Sequence, residues 1–99
     1  MEAVLVTEVA AIEVAEGSED AFERAMRDEG GLAALAAAPG VRSVRFGRGV
    51  ENASKFGFVV EWDSVEAHVA ARDSEPFSRF REAIAPYGRG GSMEHFDLQ

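Results

Sequence analysis

The order of apolar segments predicts an α+β domain of βαββαβ type, a ferredoxin-like split pattern with one four-stranded antiparallel sheet and its helices on one face. Three observations carry this. Val4 to Val14 (VLVTEVAAIEV) is rich in β-branched residues. Val41 to Trp62 contains two apolar runs separated by the turn Glu51-Asn52-Ala53-Ser54, which reads as an antiparallel hairpin. Two stretches of helical periodicity separate these segments from each other and from a last strand near the C-terminus.

The first strand places Val4, Val6, Ala10, Ile12 and Val14 on one face and Leu5, Val9 and Ala11, with Thr7 and Glu13, on the other. A strand apolar on both faces must be covered on both. Gly17 then breaks the chain, and Ser18 can cap a helix with Glu19 and Asp20 in its first turn, where acidic groups suit the helix dipole. Phe22, Ala25, Met26, Leu32 and Leu35 continue at helical spacing, although Gly30-Gly31 should loosen or kink the middle. Pro39-Gly40 stops the helix. In the strand that follows, Val44 and Phe46 share a face, and Arg42, Arg45 and Arg48 form either an anion-binding strip or ordinary solubilising charge.

The return strand (Phe56, Phe58, Val59, Val60) ends in the only tryptophan, Trp62, and turns at once into a helix. Asp63 and Glu66 have the spacing of a capping box. His68 lies on this helix with Val65, Val69 and Arg72 at i−3, i+1 and i+4, an apolar stripe interrupted by an imidazole. Glu75-Pro76 restarts a second short helix with Phe77, Phe80 and Ile84 inward. Tyr87 and the glycine-rich GRGG lead to a last strand, Ser92 to Leu98. There, His95 points away from the face of Glu94 and Phe96, and Phe96 is expected in the core.

Ninety-nine residues make one domain, 1–99, that buries roughly 65% of its unfolded surface, so association with a second chain would help it. Two helices cover only one face of a four-stranded sheet. The apolar second face therefore predicts a homodimer packed sheet to sheet, with a barrel-like interior. A net charge of −8 argues against nucleic acid and against an anionic membrane surface. No cysteine is present, which removes disulfides, thiol nucleophiles and zinc-thiolate sites. No run approaches transmembrane length, and Glu2 and Glu8 stand where a signal peptide needs a basic start, so the expected location is cytoplasmic.

Candidate chemistry gathers where the return strand meets its helix. His68 could be a general base or a hydrogen-bond partner of a substrate, since imidazole titrates near working pH, or a structural histidine bonded to a backbone carbonyl. Arg72 could orient an acidic or phenolate oxygen, or pair with a nearby carboxylate. Trp62 could wall an aromatic pocket or simply fill core. His95 could point into a cavity or pair with a carboxylate at a dimer seam. Tyr87 and Asn52 are weaker binding candidates near loops. Two histidines without cysteine, and without HxH or HExxH spacing, make no metal site. GRGG is not a phosphate loop, and no elbow frames a nucleophilic serine.

The run W-D-S-x-E-A-H (Trp62 to His68), then F-S-R-F-R (Phe77 to Arg81), Pro86 and a terminal E-H-F (Glu94 to Phe96), resembles the antibiotic-biosynthesis monooxygenase (ABM) domain family. Gly17, Phe22 and the Pro39-Gly40 turn extend the likeness over nearly the whole chain. The resemblance implies a dimeric α+β barrel. It also implies a cofactor-independent monooxygenase of small aromatic or polyketide-like substrates, with Trp62 lining the ring, His68 handling the proton and Arg72 or Tyr87 stabilising oxyanion charge. The family is mixed, so a non-catalytic ligand-binding or structural dimer on the same fold is the alternative. Haem degradation is not expected. That branch uses an asparagine where this chain has Ala10-Ala11-Ile12, and a late histidine where it has Arg79 and Arg81.

Overall fold

The computed structural model describes residues 5–98; Glu2 and Val4, invoked above, lie outside them. The chain runs β1 (Val6–Val14), α1 (Glu19–Arg27), α2 (Gly31–Ala36), β2 (Val41–Arg48), β3 (Lys55–Trp62), α3 (Val65–Ala71), α4 (Glu75–Ile84), β4 (Gly88–Phe96). The strands form one antiparallel sheet in the order β2-β3-β1-β4. This is the expected ferredoxin-like α+β architecture, with each helical segment divided in two. The first division falls at Gly30, which opens α2 with φ +98°, so the glycine pair separates two helices rather than kinking one.

Strand parity sorts the sheet. Val6, Glu8, Ala10 and Ile12 of β1 sit in register with Trp62, Val60, Phe58 and Phe56 of β3 on the helix-covered face, and Val14 is buried beyond them. Phe22, Met26 and Leu35 meet this face from the helices. Phe22 lies edge-on to Phe56 at 4.8 Å, while Phe46 stacks on Phe56 at 5.6 Å. Phe80 comes down from α4 onto Phe58.

The opposite face exposes Leu5, Val9, Val59 and Phe96. Phe96 is therefore no core residue of the single chain, being 41% exposed. It pairs with Thr7 on the outer face, because its neighbour His95 pairs with Glu8 on the inner one. The last strand also starts earlier than expected and takes in the GRGG run. At Gly91 a Cβ would stand 2.6 Å from the Ala11 carbonyl oxygen, so the glycine permits a close strand approach that a side chain would block.

Two local expectations around α3 are corrected. The N-cap is Ser64, whose hydroxyl accepts from the Ala67 N–H at 3.0 Å; Asp63 pairs with Arg42 at 2.5 Å instead. The buried side of this seven-residue helix is His68 and Ala71, while Val65 and Val69 face outward. Gly40 sets that orientation. Its φ of +90° turns the chain after α2, and the position a Cβ would take is 2.8 Å from the Ala67 Cβ, so α3 lies directly on this turn. The arginine strip does not form either. Arg42 sits at a β-bulge beside Asp63, Arg48 pairs with Asp20 and Glu23, and Arg45 faces outward opposite Val59.

Candidate functional site

A lateral cavity of about 380 Å³ opens between the sheet and the helices. Ala10, Ile12, Phe58, Val60 and Met93 line its sheet side, and Leu35 from α2 with Phe77 and Phe80 from α4 line its helix side. β4 forms the outer margin, a nearly uncovered edge strand whose Met93 is 40% exposed. Small side chains at Ala10 and Gly91 keep the space open. The wall is mostly apolar; its polar side chains are Ser92 on β4 and Glu8, which contributes a carboxylate. A mostly apolar pocket with few convergent polar groups is the usual form of a small-molecule site.

Glu8 is buried and held. The Trp62 indole N–H donates to its Oε1 at 2.8 Å, and His68 Nε2 lies 3.8 Å from the same oxygen. The His68 ring stacks on Trp62 with centroids 4.2 Å apart and planes 14° from parallel. Phe77 packs against its other surroundings at 6.0 Å. His68 Nδ1 and His95 Nε2 are 2.8 Å apart, one donating to the other. His95 itself is half-buried on the edge strand.

Strand and helix geometry explain this convergence. Antiparallel register sets Glu8 opposite His95 and next to the Val60–Trp62 end of β3, and the Ser64 cap starts α3 so that its second turn brings His68 back over Trp62. Burial pushes His68 below its ordinary value. The Glu8 charge opposes this shift, while His95 and Arg72 reinforce it, so the neutral ring is favoured. His68 and His95 turn their facing nitrogens to each other, and among the described residues no three His, Asp or Glu side chains are arranged to hold a metal ion.

Of the residues singled out from the sequence, Trp62, His68 and His95 come together. Trp62 is wholly buried and lies behind Glu8, its indole turned to the carboxylate and the imidazole. Arg72 caps the C-terminus of α3, where it is exposed, and its carbonyl accepts from Arg81 Nη2 at 2.5 Å. Tyr87 packs edge-on to Phe22 at 6.0 Å, and its carbonyl accepts from the Ala15 N–H. Asn52 is exposed in the β2–β3 turn, accepting from the Ser54 N–H. Tyr87 and Asn52 thus lie at the Val14 end of the sheet, roughly 26 Å along β1 from the Val6 end at strand rise.

The group that sequence reasoning missed is Glu8. Its signal was present, since it is the one charged residue on the Val4-Val6-Ala10-Ile12-Val14 face of the first strand. An acid at an inward position must find partners, and here they are an indole at 2.8 Å and, further off at 3.8 Å, an imidazole.

The fold and this cavity define a ferredoxin-like α+β domain with an apolar side pocket closed by a buried acid–imidazole cluster. The antibiotic biosynthesis monooxygenase family model matches residues 5–83, and the chain belongs to that family. Among solved structures, a Bordetella bronchiseptica protein provisionally assigned as an antibiotic biosynthesis monooxygenase is 25% identical, with a TM-score of 0.83 over 96% of this chain and 97% of that one. SnoaB, a cofactor-independent oxygenase from Streptomyces nogalater, is 20% identical, with a TM-score of 0.79 over 98% and 95%. A conserved protein from Methanosarcina mazei has the same fold at 11% identity, with a TM-score of 0.78 over 98% and 95%. The last two likenesses concern the fold alone. No curated protein matches the chain. No helix among the described residues is long and apolar enough to cross a membrane.

Proposed function

We propose that the chain is a cofactor-independent monooxygenase that oxidises a small, electron-rich aromatic or polyketide-like molecule inside the lateral cavity. The observation that carries this reading is the meeting of an apolar cavity of about 380 Å³ with one buried carboxylate backed by two histidines. Family membership and the fold shared with SnoaB support it. A phenolate or enolate of this kind reduces dioxygen by itself. The protein has to bind it, exclude water, and take and return a proton. The ring of an anthrone-like substrate fits between Phe58, Phe77 and Phe80, with its acidic position towards Glu8. Loss of a proton leaves the electron pair on carbon; dioxygen adds there, and the peroxide collapses to a quinone carbonyl with release of water. One oxygen atom enters the product and the other leaves as water. Trp62 holds Glu8 through its indole N–H, and Arg72 helps to keep His68 neutral.

Metal-stripped protein offered hydroxylated anthrones and naphthols is expected to take up oxygen well above the spontaneous rate, with quinone appearing in the absorbance spectrum in equal amount. Uptake no faster than in buffer across the whole panel would remove the oxygenase reading.

The same reading includes a homodimer through the outer sheet face. Leu5, Val9, Val59 and Phe96 lie exposed on it, an apolar area that an isolated domain would leave in water. Sedimentation at micromolar concentration is expected to give twice the mass of one chain, and Val59→Lys is expected to shift it towards the single-chain mass. A wild-type chain sedimenting as a monomer would rule the dimer out.

A further inference from the structure

We infer that Glu8, His68 and His95 form a proton relay joining the cavity to solvent. The relay rests on the oxygenase reading for the identity of its substrate, and its geometry stands on three observations. Among the described residues Glu8 is the one carboxylate lining the cavity, its Oε1 faces His68 Nε2 at 3.8 Å, and the other ring nitrogen of His68 meets His95 Nε2 at 2.8 Å. His68 is only 3% exposed, so its route to water runs through its neighbour, whereas His95 sits half-buried on the open edge strand. The 3.8 Å gap is about 1 Å longer than a hydrogen bond, a distance that carboxyl rotation or one bridging water closes once substrate is bound.

The transfers balance. The acidic bond of the substrate breaks, its electron pair stays on the substrate, and the proton goes to a Glu8 oxygen. Glu8 passes a proton to His68 Nε2, the Nδ1 proton of His68 moves to His95 Nε2, and His95 releases its Nδ1 proton to water. The oxygenation consumes no net proton, so the relay carries a proton out and later back, and the return step restores both original tautomers. The groups facing His68 are Glu8 from β1, His95 from β4 and Arg72 from its own helix; Trp62 from β3 and Phe77 from α4 are uncharged. Burial disfavours a resting charge on His68, which suits a carrier that is charged only in passing.

The first test needs no substrate. Imidazole resonances of the resting protein, followed by NMR against pH, are expected to show the His68 titration curve displaced in His95→Gln, because the two rings meet at 2.8 Å. Glu8→Gln is expected to move the His68 curve to lower pH, since the lost negative charge had favoured the imidazolium. A His68 curve that neither Glu8→Gln nor His95→Gln moves would overturn the relay whatever the turnover. The second test uses a substrate that the wild type oxidises. His95→Gln, which keeps a hydrogen-bonding side chain but cannot pass a proton through it, is expected to slow turnover about tenfold or more in dilute buffer, with recovery on adding imidazole. Unchanged turnover would overturn the relay, as would a loss that imidazole leaves in place. A His68 curve moved by both substitutions, in a protein that oxidises nothing, would sink the oxygenase reading and leave the relay as the acid–base wiring of the cavity.

Discussion

Glu8→Gln is expected to lower turnover of any accepted phenol or anthrone by about 100-fold or more while leaving the protein folded. The amide oxygen still accepts from the Trp62 indole N–H, so the 2.8 Å bond that fixes the side chain has a replacement. Exchanging a charged acceptor for a neutral one costs about 1 kcal/mol of stability, a small part of the total. What disappears is the carboxylate proton acceptor on a mostly apolar wall. Steady-state oxygen uptake, with circular dichroism of the same samples, reads both properties. Full turnover in Glu8→Gln would mean that the cavity carboxylate is not the base.

The largest expected effect on stability belongs to Trp62→Ala, at about 3–5 kcal/mol in chemical denaturation. Trp62 is wholly buried, ends β3, and stacks on His68. Truncation would leave a void between β3 and α3. It would also remove the N–H that satisfies Glu8, leaving a buried carboxylate short of a partner. A small domain has about 5–15 kcal/mol to lose, so the variant would be close to unfolding at ordinary temperature. Trp62→Phe restores much of the volume but not the donor, and so separates the two contributions. A denaturation midpoint in Trp62→Ala equal to that of the wild type would contradict this account of the site's support.

Much of the architecture was legible because periodicity reports burial. The alternation along Val4 to Val14, the hairpin signal at Glu51 to Ser54 and the helical spacing of Phe22, Ala25 and Met26 each follow from which side of an element meets the core. Local hydrogen-bonding choices were less legible. Asp63 and Ser64 are both good caps, and the choice fell to Ser64 because Arg42, distant in sequence, engages Asp63. Phe96 read as core because it is large and apolar. Its strand register with Thr7 turned it to the outer face.

The site divides along the same line. Residue type and spacing along the chain determined that an acid interrupts an apolar strand face, that a tryptophan ends a strand, and that a histidine follows on a short helix. Only the tertiary structure decided that these are one site. Glu8 and Trp62 are 54 positions apart, and His68 and His95 a further 27 from each other. Strand register and the path of α3 over β3 brought them within 2.8 Å contacts and left Tyr87 and Asn52 at the far end of the sheet. The physical reason is that periodicity records whether a side chain faces in or out, whereas the partner it finds there depends on how separate segments pack against one another.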